Sequence, residues 1–449
     1  MENMDSTVIT TSLPAIAADI GENPLALKLA LTSYLVSLAV FIPISGWVAD
    51  RYGSRTVFST AIVVFIGGSL LCAASTGLTA FVVSRFLQGI GGAMMVPVGR
   101  LVLMRAVPKH EYVAALNYLT LPALLGPVIG PALGGAITLY FHWRWIFIIN
   151  LPIGVLGLYL VHRHIPDLRE AVLPPFDWRG FMLSGVGLSV LMLGLSALGG
   201  HLLPTAATAA CIVAGALILL AYAAHARRIE YPTLDLRLFR IPTFFNGVAA
   251  GALFRIGVGA TPFLLPLLLQ LGFGLNPLQS GLLTCATAVG AMFMKTLTVA
   301  ILKRWGFRSV LSANALLAAA GVAVCALFTQ ATPHVVIVLV LLFSGCLRSL
   351  QFTALQALSF ADATRENMSQ ATSVASMAQR LSQSLGIVVG AYALELSSRA
   401  QGHASIVAAD FPPAFIAVAI VAALPALFHR RLVPAAGTEV SGHSPKQGQ

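Results

Sequence analysis

Two apolar runs, Leu27–Ala49 and Thr56–Thr76, meet at a short charged hinge, Gly46-Trp-Val-Ala-Asp50-Arg51-Tyr52-Gly53-Ser54-Arg55. Each run has the length a helix needs to cross a bilayer, roughly 20 apolar residues. Much later a related string, Lys303-Arg304-Trp305-Gly306-Phe307-Arg308, again divides two apolar runs. A shift of 253 residues lays Arg51 on Arg304, Tyr52 on Trp305, Gly53 on Gly306 and Arg55 on Arg308. A hinge that recurs at matching places between membrane-length runs implies a duplicated membrane protein. Duplicated helical halves are an architecture that builds a solute site at their interface.

The rest of the chain agrees with this reading. At 57% hydrophobic and 10% charged residues it lacks the polar surface a soluble fold of 449 residues requires. Fourteen apolar runs can be laid along it, from 1–18 to 412–428. They are continuous and do not alternate in ten-residue segments, which favours helices over a barrel. The expected fold is an all-α membrane protein with two six-helix bundles, 1–162 and 244–430. A linker, 163–243, carries two extra spans at 180–199 and 204–224, and 431–449 reads as a disordered tail. Within the linker, Leu234–Arg240 has the pattern of a short interfacial helix or of an anchored loop. The first run begins with Glu2 and Asp5 and has nothing apolar before them, so it reads as short at that end, with a start upstream of Met1.

A net charge of +11 invites a nucleic-acid reading, but the placement of the charges argues against one. Of 27 Lys and Arg, 18 fall in alternate connections or the tail, and only Lys28, Arg144 and Arg399 fall in the opposite set. That asymmetry is the positive-inside rule; it places the hinges and both termini in the cytoplasm and the protein in the cytoplasmic membrane. The five cysteines all lie in apolar runs, form no metal-ligand spacing and suggest no disulfide framework. There is no HExxH, no G-x-S-x-G and no Gly-Lys pair, so hydrolase and Walker-type chemistry are not expected, and neither is a metal or cofactor.

The hinge resembles the loop motif of the major facilitator superfamily, G-x-L-a-D-R-x-G-R-[RK], with Val48 and Ser54 as departures. The resemblance implies that Gly46, Asp50, Arg51, Gly53 and Arg55 form a conformational gate. Asp50 ends its own helix, where the dipole disfavours an acid, so it needs a partner such as Arg55 or another helix's N-terminus. In the second copy Lys303 takes the place of the acid. Arg85-Phe-Leu-Gln88-Gly89-Ile-Gly91-Gly92-Ala93 resembles a second motif of the superfamily, and Met4-Asp5-x-Thr7-Val8…Leu13-Pro14 resembles the first-helix motif of its fourteen-helix drug:proton antiporters. Gly126, Pro127, Gly130, Pro131, Gly134 and Gly135 resemble the antiporter motif, with the glycines on one helix face. Trp143-Arg144-Trp145 through Asn150-Leu-Pro152 resembles the opening of the sixth helix in the same exporters. Its closest flavour is that family's multidrug-resistance proteins.

An ionisable group inside a span is costly and points to function. Asp5, the lone acid well inside a predicted run, and Arg85 are the candidate proton-coupling pair; the alternative is a static ion pair that fixes helix packing. Six basic residues lie within the runs: Arg85, Arg100, Arg255, Lys295, Arg348 and Arg380. Arg255, Arg348 and Arg380 sit near the middle of theirs, too deep to reach an interface. With Lys295 and Arg100 as weaker members, they imply an anionic cargo such as a polycarboxylate or its metal chelate. Hydrogen bonds to helix carbonyls are the alternative for each Arg. The expected partners are a small-molecule substrate, protons and the lipid bilayer, with no nucleic acid and no oligomer beyond a monomer. The leading function is proton-coupled export, driven by the proton gradient. An uptake symporter or facilitator on the same fold, and a non-transporting sensor, remain open.

Overall fold

The computed structural model describes residues 1–106, 112–165, 167, 169, 175–198, 203–364, 367–403, 405–433 and 436–441. For 100, 101, 104–106, 112–124, 369 and 441 it describes the backbone alone. The elements among these residues are all helical. The first pass, α1, is broken: Glu2–Val8, a tighter turn at Ile9–Thr11, then Leu13–Ile20. Then come α2 (Lys28–Tyr52), α3 (Ser54–Ala74), α4 (Leu78–Ala106), α5 (Tyr112–Tyr140) and α6 (Trp145–His164). The inserted pair is α7 (Trp178–Ser196) and α8 (Thr205–Ala226). After α9 (Pro242–Gly272), the apolar stretch Pro277–Leu327 breaks at Gly306 into α10 (277–305) and α11 (307–327). α12 (His334–Ser359), α13 (Met368–Ala400) and α14 (Ala408–His429) complete fourteen helical segments among the described residues; ten stretches, with Pro277–Leu327 counted as one, are long and apolar enough to cross a bilayer.

The duplication is visible in the backbone. Gly53 and Gly306, which the sequence shift superposes, both adopt a positive φ, +94° and +68°. A residue with a side chain is strained there, so glycine lets the chain reverse between two helices with no loop. A second pair obeys the same shift. Gly21 and Gly274, with φ of +70° and +72°, end α1 and follow α9. Each is followed by Asn-Pro, and the Asn caps the next helix: Asn23 accepts from the Leu25 amide at 2.9 Å and Asn276 from the Gln279 amide at 2.8 Å. Proline then sits where its missing N–H costs nothing.

The chain divides into two compact units, Met1–Leu234 and Asp235–Gln449. In the first, α1 runs along α5, α2 and α3 pack on α4, and α3 packs on α6. In the second, α9 runs along α13 and the α10–α11 stretch packs on α12, the equivalent pairings. The inserted helices belong to the first unit. α7 lies along α2 through Phe41 against Phe181 (5.8 Å between ring centres), Gly185 against Val40, and Trp47 against Phe176 and Trp178. At the end of the pair Asp177 caps α7 through the Gly180 amide (2.8 Å) and accepts from His225 Nε2 of α8 (2.8 Å) and from the Thr233 amide (3.3 Å).

The linker's Leu236–Arg240 is a 3-10 helix capped by Asp235. The segment read as a disordered tail departs from that reading in part. Thr438–Ser441 is a helical turn, and Gly437 lies against Phe307 and Leu358; residues 442–449 are outside the described set.

Candidate functional site

The glycine face of α5 is a bed for α1. A Cβ at Gly126 would lie 3.0 Å from the Met4 amide, one at Gly130 would strike the Thr7 hydroxyl, and one at Gly134 the Val8 carbonyl. Such bare positions let two helices approach closely. Hydroxyls then fasten the contact. Thr11 donates to the Pro131 carbonyl at 3.2 Å, and Ser12 and Thr138 share a hydrogen bond of 2.6 Å. The motif that resembles an antiporter signature thus fixes where the first helix, and Asp5 on it, is held.

Asp5 is buried at the meeting of four helices. Its Oδ2 accepts from Arg85 NH1 of α4 at 2.6 Å. Its Oδ1 accepts from Gln88 Nε2 at 2.9 Å and from Asn150 Nδ2 of α6 at 3.0 Å. Both amides also donate to the Ser69 hydroxyl of α3, at 2.7 and 3.3 Å. Arg85, 1% exposed, makes a second bond to Gln88 Oε1 and lies 4.2 Å above the Tyr34 ring of α2. A charge in this setting is tolerable only because it is paired and hydrogen-bonded on every side. The sequence singled out Asp5 and Arg85, and the structure brings them together. It quoted Gln88 and Asn150 within motifs but gave them no role, and it missed Ser69 and Tyr34. An amide inside an apolar run was the available signal for Asn150; a lone Tyr or Ser carries none.

At the end of this unit opposite the Gly53 hinge, Trp143 Nε1 and Arg144 NH1 both reach Asp19 Oδ2, at 3.1 and 2.7 Å, while Arg144 NH2 donates to the Ser75 carbonyl. The Trp-Arg signature therefore ties the ends of α1, α3 and α6 together. In the hinge, Gly53 forms the turn described above and Gly46 lies on α2. Asp50 is half-buried, Arg51 is exposed, and Arg55 Nε donates to the Ile165 carbonyl at 2.6 Å. Pro127 and Gly135 lie on α5 beside the glycine bed.

The cations of the second unit fall into different settings. Arg255 is buried, and its NH1 donates to the carbonyls of Gly247 and Val248, at 3.2 and 3.5 Å. Those carbonyls belong to a π turn, Asn246–Ala250, whose wider winding leaves acceptors free. Arg255 thus takes helix carbonyls, the alternative named for each Arg, and its guanidinium stands 5.8 Å from the Phe352 ring of α12. Arg348, one turn before Phe352, is half-buried and has no hydrogen bond or ion pair with the described residues. Arg380 is half-buried on α13, and Lys295 is exposed on α10. The side chain of Arg100 lies outside the described residues. No cluster of potential metal ligands occurs among the described residues.

The family model described as Major Facilitator Superfamily matches residues 1–387 and 247–448. A protein of Pectobacterium atrosepticum that carries the name MdtD and a multidrug-resistance designation is 40% identical over 97% of this chain and 93% of its own length. Its namesake in Serratia proteamaculans is 39% identical over 97% and 91%. Among solved structures, a POT family transporter in complex with 5-aminolevulinic acid superposes with a TM-score of 0.69 at 16% identity, over 95% of this chain and 91% of the other.

Proposed function

Because the chain belongs to the major facilitator superfamily of membrane transporters, we propose that it is a proton-coupled exporter whose coupling group is Asp5. It is a multi-pass membrane transporter and not an enzyme. The observation that carries the proposal is the closed network of Asp5, Arg85, Gln88 and Asn150, held on a helix bedded against the glycine face of α5. A proton on Asp5 cancels the charge that holds Arg85. The pair then loosens, and the four helices that meet there are free to adopt a second packing. Loss of the proton restores the ion pair. One titration thus biases a two-state element, which is what coupling requires.

Export, placement in the cytoplasmic membrane and cytoplasmic termini follow the motif resemblance and the positive-inside pattern. The cargo in this reading is an anion, supported by Arg348, a cation near the middle of α12 that the described residues leave unpaired. The test is transport in proteoliposomes under an imposed pH gradient, with small polycarboxylates and lipophilic cations as probes. Gradient-driven accumulation that Asp5→Asn abolishes supports the reading. Accumulation that ignores Asp5→Asn removes it, and movement only along the cargo's own gradient identifies a facilitator.

A further inference from the structure

A second carboxyl lies beside the first. Glu2 stands one turn before Asp5, so the two share a face of α1. It is as hidden as Asp5, 5% against 3% exposed. Its neighbours place it deep in the unit: a Cβ at Gly92 would lie 3.5 Å from Glu2 Cγ, 3.1 Å from the Tyr34 hydroxyl and 3.1 Å from Leu38. Gly92 and Leu38 sit near the midpoints of α4 and α2, so Glu2 is a mid-membrane acid. Such a residue is expected to serve function rather than packing alone. Tyr34 meets both acids' surroundings: its ring face lies under the Arg85 guanidinium that grips Asp5, and its hydroxyl borders Gly92, as Glu2 Cγ does.

We propose that Glu2 is a second proton-carrying carboxyl, coupled to Asp5 through Tyr34 and Arg85. The inference rests on the proton-coupled reading of Asp5. The step is a proton transfer and needs no other reactant: the O–H bond of the Asp5 acid breaks, the Glu2 carboxylate gains that proton, and the Asp5 carboxylate re-forms its pair with Arg85. The groups near Glu2 include Asp5 on its own helix, the α-amino group of Met1 next to it in the chain, Tyr34 from α2 and Arg85 from α4, and Glu2 is itself partnered. The fully described part of α5, 125–139, and the face of α6 through Val161 bring no charged residue; the Arg100 side chain of α4 is outside the described set. Glu2 acts on transport through Asp5 and is a positioning residue for the proton, not for the cargo.

The test is infrared difference spectroscopy of the purified full chain in lipid nanodiscs, stepped between acid and alkaline buffer. Protonated carboxyls absorb apart from carboxylates and amides, and subtracting each variant from the parent cancels the surface acids. Parent minus Glu2→Gln is expected to show the loss of one carboxyl band, and parent minus Asp5→Asn the loss of another. Removal of either acid should displace the band of the survivor, and Tyr34→Phe should keep both bands but abolish that displacement. The Glu2→Gln protein should release half as many protons from this buried pair. Absence of a Glu2 band, or two bands that ignore each other, overturns the inference. Absence of an Asp5 band removes the coupling role of Asp5 itself, so the two failures read differently. Should Glu2→Gln fail to fold, Glu2→Asp keeps the carboxyl and is expected to move its band without losing it.

Discussion

Asp5 and its donors show how a single carboxyl can be both buried and switchable. Arg85, Gln88 and Asn150 all donate to it, and two of them are neutral amides that also hold Ser69. If the working cycle includes a neutral Asp5, the fold must tolerate an uncharged side chain there. Asp5→Asn is therefore expected to remain folded and monodisperse in detergent, to keep its place in the membrane, and to lose gradient-driven transport. Arg85→Leu removes the other partner and leaves a carboxylate without its cation, which costs about 3–5 kcal/mol. Thermal unfolding should separate the two, with Arg85→Leu clearly the less stable; equal losses would make the pair a structural tie. Charges within apolar runs are rare enough that Asp5 and Arg85 stood out in the sequence. Ser69 and Tyr34 did not, because small polar and aromatic residues occur in spanning helices for many reasons and only the three-dimensional meeting of α1, α2, α3 and α4 gives them a role. Glu2 was read as a mark of a short first helix, since its burial by α2 and α4 leaves no trace in local sequence.

At the scale of elements, hydropathy defined the passes, and the Gly53 and Gly306 hinge announced the repeat. The Gly21 and Gly274 pair followed the same shift unnoticed, because a Gly-x-Asn-Pro connection resembles any helix-to-helix turn. The stripe of Gly126, Gly130 and Gly134 was legible as a face, but not the identity of the helix that lies on it. The packing of α7 on α2 was equally hidden: one apolar surface meets another, and no periodicity says which. The α1–α5 bed gives a direct test. At Gly134 a side chain would meet the Val8 carbonyl, so Gly134→Val should force α1 away. Overpacking of this kind costs about 1–3 kcal/mol, and transport should fall further than stability does, because Asp5 moves with α1. Gly77→Val, where a Cβ meets nothing within 4 Å, is the control and should leave both unchanged. The clasp under the inserted pair gives a second test. Burial of Asp177 works against its charge, but the hydrogen bonds from His225, Gly180 and Thr233 outweigh that and hold it below the usual carboxylate range. A carboxyl depressed in the folded state stabilises at pH values above its unfolded pKa of roughly 4, and that stabilisation is lost as pH falls through the folded value. Asp177→Asn keeps a capping side chain but loses the charge that strengthens these hydrogen bonds, and should thus lower the melting temperature at neutral pH by the equivalent of about 1 kcal/mol. The difference from the parent should vanish in acid; a gap that persists unchanged at low pH would mean the charge contributes nothing.

For the whole molecule the open quantity is the sign of the cargo. In the second unit the acids of the passes, Glu395 and Asp410, lie toward the ends of α13 and α14 and are engaged by Arg399 at 2.6 Å and His403 at 2.7 Å. Arg255 draws its partners from the π turn of its own helix, so it is not a free anchor. Composition alone could not separate these cases, because a cation bound to carbonyls and a cation awaiting an anion are the same letter in an apolar run. Arg348 remains the residue whose depth and lack of a partner among the described residues call for one from outside the protein. A guanidinium offers a forked donor set that matches carboxylate oxygens. Arg348→Gln is therefore expected to weaken a polycarboxylate substrate by about 2–5 kcal/mol if the contact is dry, with little change in the affinity of a lipophilic cation. Arg255→Gln should instead act mainly on stability, because it orphans the carbonyls of Gly247 and Val248. Competition binding to the purified protein, with one probe of each charge, reads both effects. If cationic probes bind and Arg348→Gln leaves the polycarboxylate affinity unchanged, Arg348 is no anchor for an anion, and the cargo must be sought among cations.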